Sequence, residues 1–384
     1  MTAGPLDGLL VLDLSQFLSG PYAALRLGDL GARVIKVERP DGGDLCRRLY
    51  LTDTEIGGDS TLFHAINRNK QSFAADLKNP ADLAHVRALI GRADVLIQNF
   101  RPGVIGRIGL DYDAVRRINP RIVYASITGY GEDGPWAALP GQDLLAQARS
   151  GVMWLNGDAD QGPVPFGLAV ADMLAGATIV QGVLACLVRR GTTGQGGHVE
   201  TSLMEALIDL QFEVLTTHLN DGGRLPARSG FRSAHAYLAA PYGVYATQDG
   251  WLALAMTPLP RLAQLLQLDD LTALAAAEPG AGFTRRDDIK RLIAARLAGA
   301  PTAHWLAILQ PADVWCADVL DWPRLLGSEG FAALDLLQTV TRADNVAIRT
   351  TRAPLRIDGV RPATRTAAPR IGQDTAAIVR EFGL

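Results

Sequence analysis

The sequence predicts an α/β fold: a Rossmann-like layer with a mostly parallel sheet, followed by a smaller α+β unit. Three observations carry this expectation. Short apolar runs alternate with helical segments through the first half of the chain. The composition breaks at Asp221–Gly230 (DGGRLPARSG), and a hairpin-like pair follows it. Near the end, Arg349–Pro369 is rich in Pro, Arg and Thr without periodicity, and one last helical segment closes the chain.

The elements follow in order. Leu9–Leu14 is an apolar strand, Pro21–Leu30 has helical periodicity, and Arg33–Glu38 alternates as a second strand. Ser72–Leu77, a helix from about Pro80, Val95–Asn99, two short helices through Ile118 and Ile122–Ile127 repeat the pattern. Strands separated by helices imply βαβ units around a parallel sheet. From Asp172 a strong helix, MLAGATIVQGVLACLVRR, is expected to stop at Gly191. A strand at His198–Ser202 and one helix over Leu203–Asn220 come next. Beyond the break, GVYAT, the turn QDG and WLALAM read as a hairpin, with alanine-rich helical segments running to about Leu309. The expected division is a large domain over residues 1–200 completed by about 350–384, a linker helix at 201–224, a small domain at 225–325 and a return linker at 326–349.

Composition excludes several classes. A formal charge of −3 argues against a nucleic-acid surface or a polybasic membrane patch, so any anion site must be local. Cys46, Cys186 and Cys316 show no CxxC spacing, and the six histidines show no HxxxH or HExxH pattern. Neither a disulfide framework nor a metal site is expected. The N-terminal apolar run lacks a basic flank and is too short for export, which points to the cytoplasm.

The candidate chemistry starts at the first strand–helix loop, SQFLSGP, which holds one glycine, Gly20. Dinucleotide sites need several glycines there for the tight turn and the approach to a pyrophosphate, so NAD or FAD is not expected. Arg39 (VERPDGGD), Lys70 (NRNKQS) and Arg107 (NFRPGVIGRIGL) each read alone as solvated charges. Together they are expected to follow different strand ends, where parallel sheets bind ligands, and arginine forks suit phosphates. Asp172 stands where helix N-caps stand, and spacing alone favours a cap over a reactive group. Asp143 has the same ambiguity. Arg232 and His235, in SGFRSAHAYLAAPYG, suit either an anion or plain packing.

As an ordered set, LLVLDLSQFLSGPYAALRLGDLGARVIKVERPDGGD, NRNKQSFAADLKNP, ADVLIQNFRPG, ASITGYGEDGPW and FGLAVADMLAGATIVQGVLACL resemble the class III coenzyme A transferases of the CaiB/BaiF type, the formyl-CoA:oxalate and carnitine CoA-transferase group. Weaker matches extend the resemblance over nearly the whole chain. It implies transfer of CoA from an acyl-CoA to a carboxylic acid, with CoA a substrate and not a resident cofactor. Asp172 in ADMLAG falls on the family's nucleophile, and Asp143 on a second acidic site residue. Arg39 and Arg107 fall on CoA-binding basic positions, and Lys70, Asn99 and Phe100 on the adenine and phosphate loops. The family also implies an interlaced, ring-like homodimer, with the small domain over the partner's active site. Arg232 and His235 would meet the acyl group there.

Three departures matter. Leu18 replaces the glutamine that formyl-CoA transferases carry after the first strand; Gln16, two residues earlier, is expected to share its face in an extended stretch. The Gly-rich lid of the oxalate enzymes is absent, which argues against oxalate and formyl-CoA. Gln142 replaces the catalytic histidine of the related α-methylacyl-CoA racemases, and an amide cannot exchange a proton with carbon. That weighs against a racemase-like isomerase, as the presence of Asp172 weighs against an inactive CoA-binding protein.

Overall fold

The structure is a computed structural model that describes residues 4–277 and 280–384. It divides into two compact units: one running through Ala146, resuming over Ala169–Leu210 and closing with Ala333–Leu384, the other formed by Gln147–Leu168 and Gln211–Ala332. Residues 147–168 therefore fold with the second unit, where the sequence reading had kept them in the first. The expected helix over Leu203–Asn220 breaks at Gln211 into Leu203–Leu210 and Phe212–Asn220. The two halves belong to different units.

The first unit is built on six parallel strands: β1 (Leu10–Asp13), β2 (Arg33–Glu38), β3 (Lys70–Ala74), β4 (Val95–Gln98), β5 (Val123–Thr128) and β6 (Gly197–Ser202). Their spatial order is β3-β2-β1-β4-β5-β6, that of doubly wound nucleotide-binding sheets. The central strands β1 (LVLD) and β4 (VLIQ) read as largely apolar runs because both faces are covered. On one face Val11, Val34, Val95, Ile97 and Val123 pack against α1 (Ser19–Asp29) and the long helix Val170–Thr193. On the other, Leu12, Ile35, Phe73, Leu96 and Tyr124 meet α2 (Pro80–Ile90), α3 (Val104–Ile108) and α4 (Tyr112–Ile118). The C-terminal helix, Thr375–Phe382, adds Ile378 to that second core. The Thr375 hydroxyl accepts the Ala74 amide and Asp374 accepts that of Ser72, which ties the end of the chain to β3.

Helix α5 (Asp143–Ser150) precedes α6 (Val170–Thr193). Helix α6 begins two residues before Asp172, passes through Gly191 and ends at Gly194, whose φ of 74° supplies the left-handed cap. By length and composition α6 could cross a membrane, yet its Ala171, Ala175, Ile179 and Val183 stripe is buried in the sheet core. A Cβ at Gly176 would fall 2.6 Å from the Ser19 carbonyl oxygen, so only glycine lets α6 and α1 touch backbone to side.

The second unit holds the expected hairpin, β7 (Gly243–Ala246) and β8 (Trp251–Leu254), with Trp251 opposite Ala246. A third strand, β9 (Cys316–Asp318), was not foreseen. Tyr245, Leu252, Leu262, Ile289, Ile293 and Trp305 form this unit's core. The expected extended crossing at 349–369 starts instead as a strand, because Ala347–Thr351 pairs with Leu337–Thr341 in a hairpin of the first unit.

Candidate active site

The strand order reverses between β1 and β4, and in such sheets ligands bind outside the carboxyl ends of the strands at that point. The loops there are locked together. Asn99, just after β4, accepts the Gln16 amide at 2.8 Å and donates to the Gln16 carbonyl at 2.7 Å and to the Ser19 hydroxyl at 3.4 Å. Both ends of its amide are thus engaged in holding the β1 loop. Phe17 takes a φ of 63°, uncommon for a bulky residue, and its N–H donates to Asp44. That left-handed turn overturns the expectation for Gln16 and Leu18. The stretch is not extended: Gln16 lines a cleft, while Leu18 packs against Cys46, Phe63 and Ile66. Gly20 is required beneath the loop, since a Cβ there would lie 2.3 Å from that of Ser15.

The cleft has apolar walls of Val37, Leu77, Phe100, Val104 and Ile108, with Arg39 and Lys78 on its lining. Both cations are exposed. Arg107 is exposed on α3 beside the lining residues Val104 and Ile108. Lys70 is not part of this surface. Its side chain is fully buried, and its ammonium donates to Asp13, to the Pro21 carbonyl and to Asn67, each at 2.8 Å. Lys70 opens β3, whereas the ligand-side loop, Ala75–Lys78, leaves the strand's other end. Sequence reasoning set this strand two residues late and so missed Lys78.

Asp172 lies in the first turn of α6, half-buried, and the hydroxyl and backbone amide of Ser19 at the start of α1 favour its ionised form. It is not the cap of its own helix. The Ala171 and Asp172 amides donate to the buried Asp143 carboxylate at 2.7 and 3.2 Å. Asp143 thus caps α6 from 29 residues upstream. Burial first, and then the neighbouring charge of Asp143, raise the Asp172 pKa to about 6 against the opposing effect of Ser19. The start of α6 thus serves Asp143, while the start of α1 lies beside Asp172. Gln142, one residue before Asp143, is exposed, and its carbonyl accepts the Ala146 amide in the first turn of α5.

The profile of CoA-transferase family III matches residues 6–375. The chain belongs to that family. It is 34% identical to an acetyl-CoA:oxalate CoA-transferase of Acetobacter aceti, over 99% of this chain and 96% of that protein. It is 32% identical to a succinate–glutarate CoA-transferase of Agrobacterium fabrum, over 98% and 96%. A CaiB/BaiF family protein from Brucella suis superposes with a TM-score of 0.86 at 30% identity, covering 99% of this chain and all of that one. The protein is a CoA-transferase, an enzyme whose substrates are CoA thioesters and carboxylic acids.

In this family III enzyme Arg232 and His235 belong to the second unit. The Arg232 guanidinium lies 4.7 Å from the centroid of Trp251, and its carbonyl accepts the Lys290 ammonium. His235 Nδ1 accepts the Tyr237 amide. Both are partly buried.

The raised pKa of Asp172 makes a stability prediction independent of activity. Between about pH 4 and pH 6 the folded chain keeps a proton that the unfolded chain has released. Stability is therefore lost as pH rises through that window. At about 1.4 kcal/mol per unit, discounted for partial exposure, ionised Asp172 costs roughly 2 kcal/mol at pH 8. Asp172→Asn should be the more stable protein at pH 8 in denaturant titrations and equal to wild type at pH 4. Parallel pH profiles for the two would remove the burial argument.

Proposed function

We propose that Asp172 is the nucleophile that carries CoA from an acyl-CoA donor to a carboxylic acid. One Asp172 oxygen attacks the thioester carbonyl; the C–S bond breaks and CoA thiolate leaves a mixed anhydride. The thiolate then attacks the aspartyl carbonyl, expelling the donor acid and leaving aspartyl-CoA. The acceptor carboxylate attacks that thioester, and the returning thiolate takes the acceptor acyl group, restoring Asp172. The carrying observation is the placement of this carboxylate, with its raised pKa, against the Ser19 hydroxyl and amide at the start of α1. Pre-aimed N–H groups of that kind stabilise the oxyanion of each tetrahedral step. The neutral side chain at 142 favours this reading over proton exchange at carbon.

The cleft suits the nucleotide end of CoA: apolar walls for a purine, cations for phosphates. The relatives named for oxalate and glutarate support a dicarboxylate as donor or acceptor acid. Arg232 and His235 are our candidates to read its distal carboxylate. The deciding experiment incubates the enzyme with acetyl-CoA or succinyl-CoA and seeks, by peptide mass spectrometry with hydroxylamine trapping, a modification on Asp172. A panel of mono- and dicarboxylates with wild type and Arg232→Ala then tests the acceptor reading, since a uniform loss across both classes would return Arg232 to packing. A protein that transfers CoA with Asp172 never modified would refute the mechanism.

The working enzyme in this reading is an interlaced homodimer. The second unit's long segment interrupts a first unit that both chain ends complete. Helix α6 also leaves apolar side chains uncovered in the single chain, with Val188 75% exposed. Sedimentation at nanomolar concentration should give twice the chain mass; an active monomer would contradict it.

A further inference from the structure

On the α4 side of the sheet, away from Asp172, a line of polar side chains crosses three strands. Gln98, Ser126 and Glu200 are lateral partners on β4, β5 and β6. His198 lies two residues before Glu200 on the same face. The Phe100 amide donates to Gln98 Oε1 at 2.8 Å, Gln98 Nε2 donates to Ser126 Oγ at 3.1 Å, and Ser126 Oγ stands 3.0 Å from His198 Nε2. His198 Nδ1 faces Glu200 at 3.4 Å. Gln98 and Ser126 are buried, so these bonds have little competition from water.

Donor arithmetic gives the line a direction. A backbone N–H can only donate, so the oxygen of Gln98 must face Phe100 and its NH2 must face Ser126. Among the described residues the Ser126 hydroxyl has no acceptor in reach except His198 Nε2. That nitrogen must be unprotonated, which puts the ring proton on Nδ1, toward Glu200. The packing agrees with a neutral ring. Tyr112 stacks on it at 4.6 Å and Tyr124 meets it edge-on at 5.3 Å. Burial lowers the His198 pKa against the opposing charges of Glu200 on its own strand and Asp113 on α4, while Glu132 lies near Glu200.

We propose that Glu200, neutral His198, Ser126 and Gln98 form a one-way hydrogen-bond chain that positions the Phe100 amide and, through it, the Asn99–Phe100 edge of the acyl-CoA cleft. His198 is a positioning residue here and touches no substrate. The Phe100 ring lines the cleft and the Asn99 side chain clamps the Gln16 loop, so slack in the chain is felt in acyl-CoA binding. The proposal rests on the CoA reading of that cleft. Protonating His198 reverses its Nε2 from acceptor to donor and strands the Ser126 hydroxyl proton, so acid loosens the same edge.

The test joins side-chain NMR of 15N-histidine-labelled enzyme with steady-state kinetics. Wild-type His198 should show the Nδ1–H tautomer at neutral pH. Ser126→Ala should raise KM for acyl-CoA about fivefold, the factor that roughly 1 kcal/mol carries, with kcat within about twofold of wild type. Gln98→Glu keeps an acceptor for Phe100 but has no donor for Ser126, whose hydroxyl must then turn to the carboxylate. His198 should switch to an Nε2–H or doubly protonated signal while KM stays near wild type. Gln98→Leu, which removes the acceptor for Phe100, should raise KM as Ser126→Ala does. An Nε2–H tautomer in wild type, or an unchanged His198 signal in Gln98→Glu, would overturn the chain. A wild-type tautomer as expected with unaltered KM in Ser126→Ala would overturn its link to binding. Calorimetry of wild type with CoA separates these outcomes from failure of the cleft itself: no binding there defeats the functional half while the tautomer still decides the chain.

Discussion

Asp172→Ala is expected to abolish CoA exchange, by at least about a thousandfold, since the neighbouring Asp143 carboxylate is buried and held by the amides that open α6. The protein should still fold and bind CoA, because the cap of α6 is Asp143 and not Asp172. Asp172→Asn should fail as completely while keeping the shape of the side chain, which separates loss of the nucleophile from loss of packing. In wild type, kcat/KM should fall as pH drops through about 6, where Asp172 gains the proton that burial and Asp143 favour. Exchange by Asp172→Ala within about tenfold of wild type would end the covalent mechanism. Asp143→Ala offers a contrast: losing the cap costs about 0.5–2 kcal/mol of stability, and the Asp172 pKa should fall because a repelling charge has gone.

What the sequence made legible follows from what each signal measures. Apolar runs and alternation between turn signals placed five of the six strands of the main sheet within about a residue at each end. Lys70 shows the limit. A lysine between polar residues reads as solvent-facing, and nothing local says that Asp13, from a strand two places away in the sheet, will meet it. Asp172 was ambiguous for the same reason. Spacing identifies a helix start, but the carboxylate that caps it comes from Asp143, and only the tertiary fold brings the two together. Leu18 and Gln16 were misjudged because the left-handed turn at Phe17 is stabilised by Asp44, again distant in sequence. The helix that ran through Gly191 illustrates a weaker signal: Gly191 and Gly194 both stand where a helix can end, and the left-handed cap forms at Gly194. The hydrogen-bond chain behind Phe100 left no signature at all, since its members come from three strands.

The sharpest use of the Lys70 correction is a comparison of two lysines. Lys78→Ala and Arg39→Ala should each raise KM for acyl-CoA by about tenfold and leave KM for the free acid within about twofold. A charge-assisted contact to phosphate is worth about 1.5–3 kcal/mol, and the exposure of both side chains puts them at the lower end. Their effects should shrink as salt rises, and dephospho-CoA will tell which of them reads the 3′-phosphate. Lys70→Ala should behave in the opposite way. Its removal leaves the fully buried Asp13 carboxylate with Lys36 as its remaining cation, 3.9 Å away. Breaking a buried pair of this kind costs roughly 3–5 kcal/mol, so the loss should appear in thermal unfolding, while the fraction that stays folded keeps a near-normal KM. If Lys70→Ala instead folds as wild type and loses acyl-CoA affinity, while Lys78→Ala keeps that affinity, the cleft is not where the nucleotide sits.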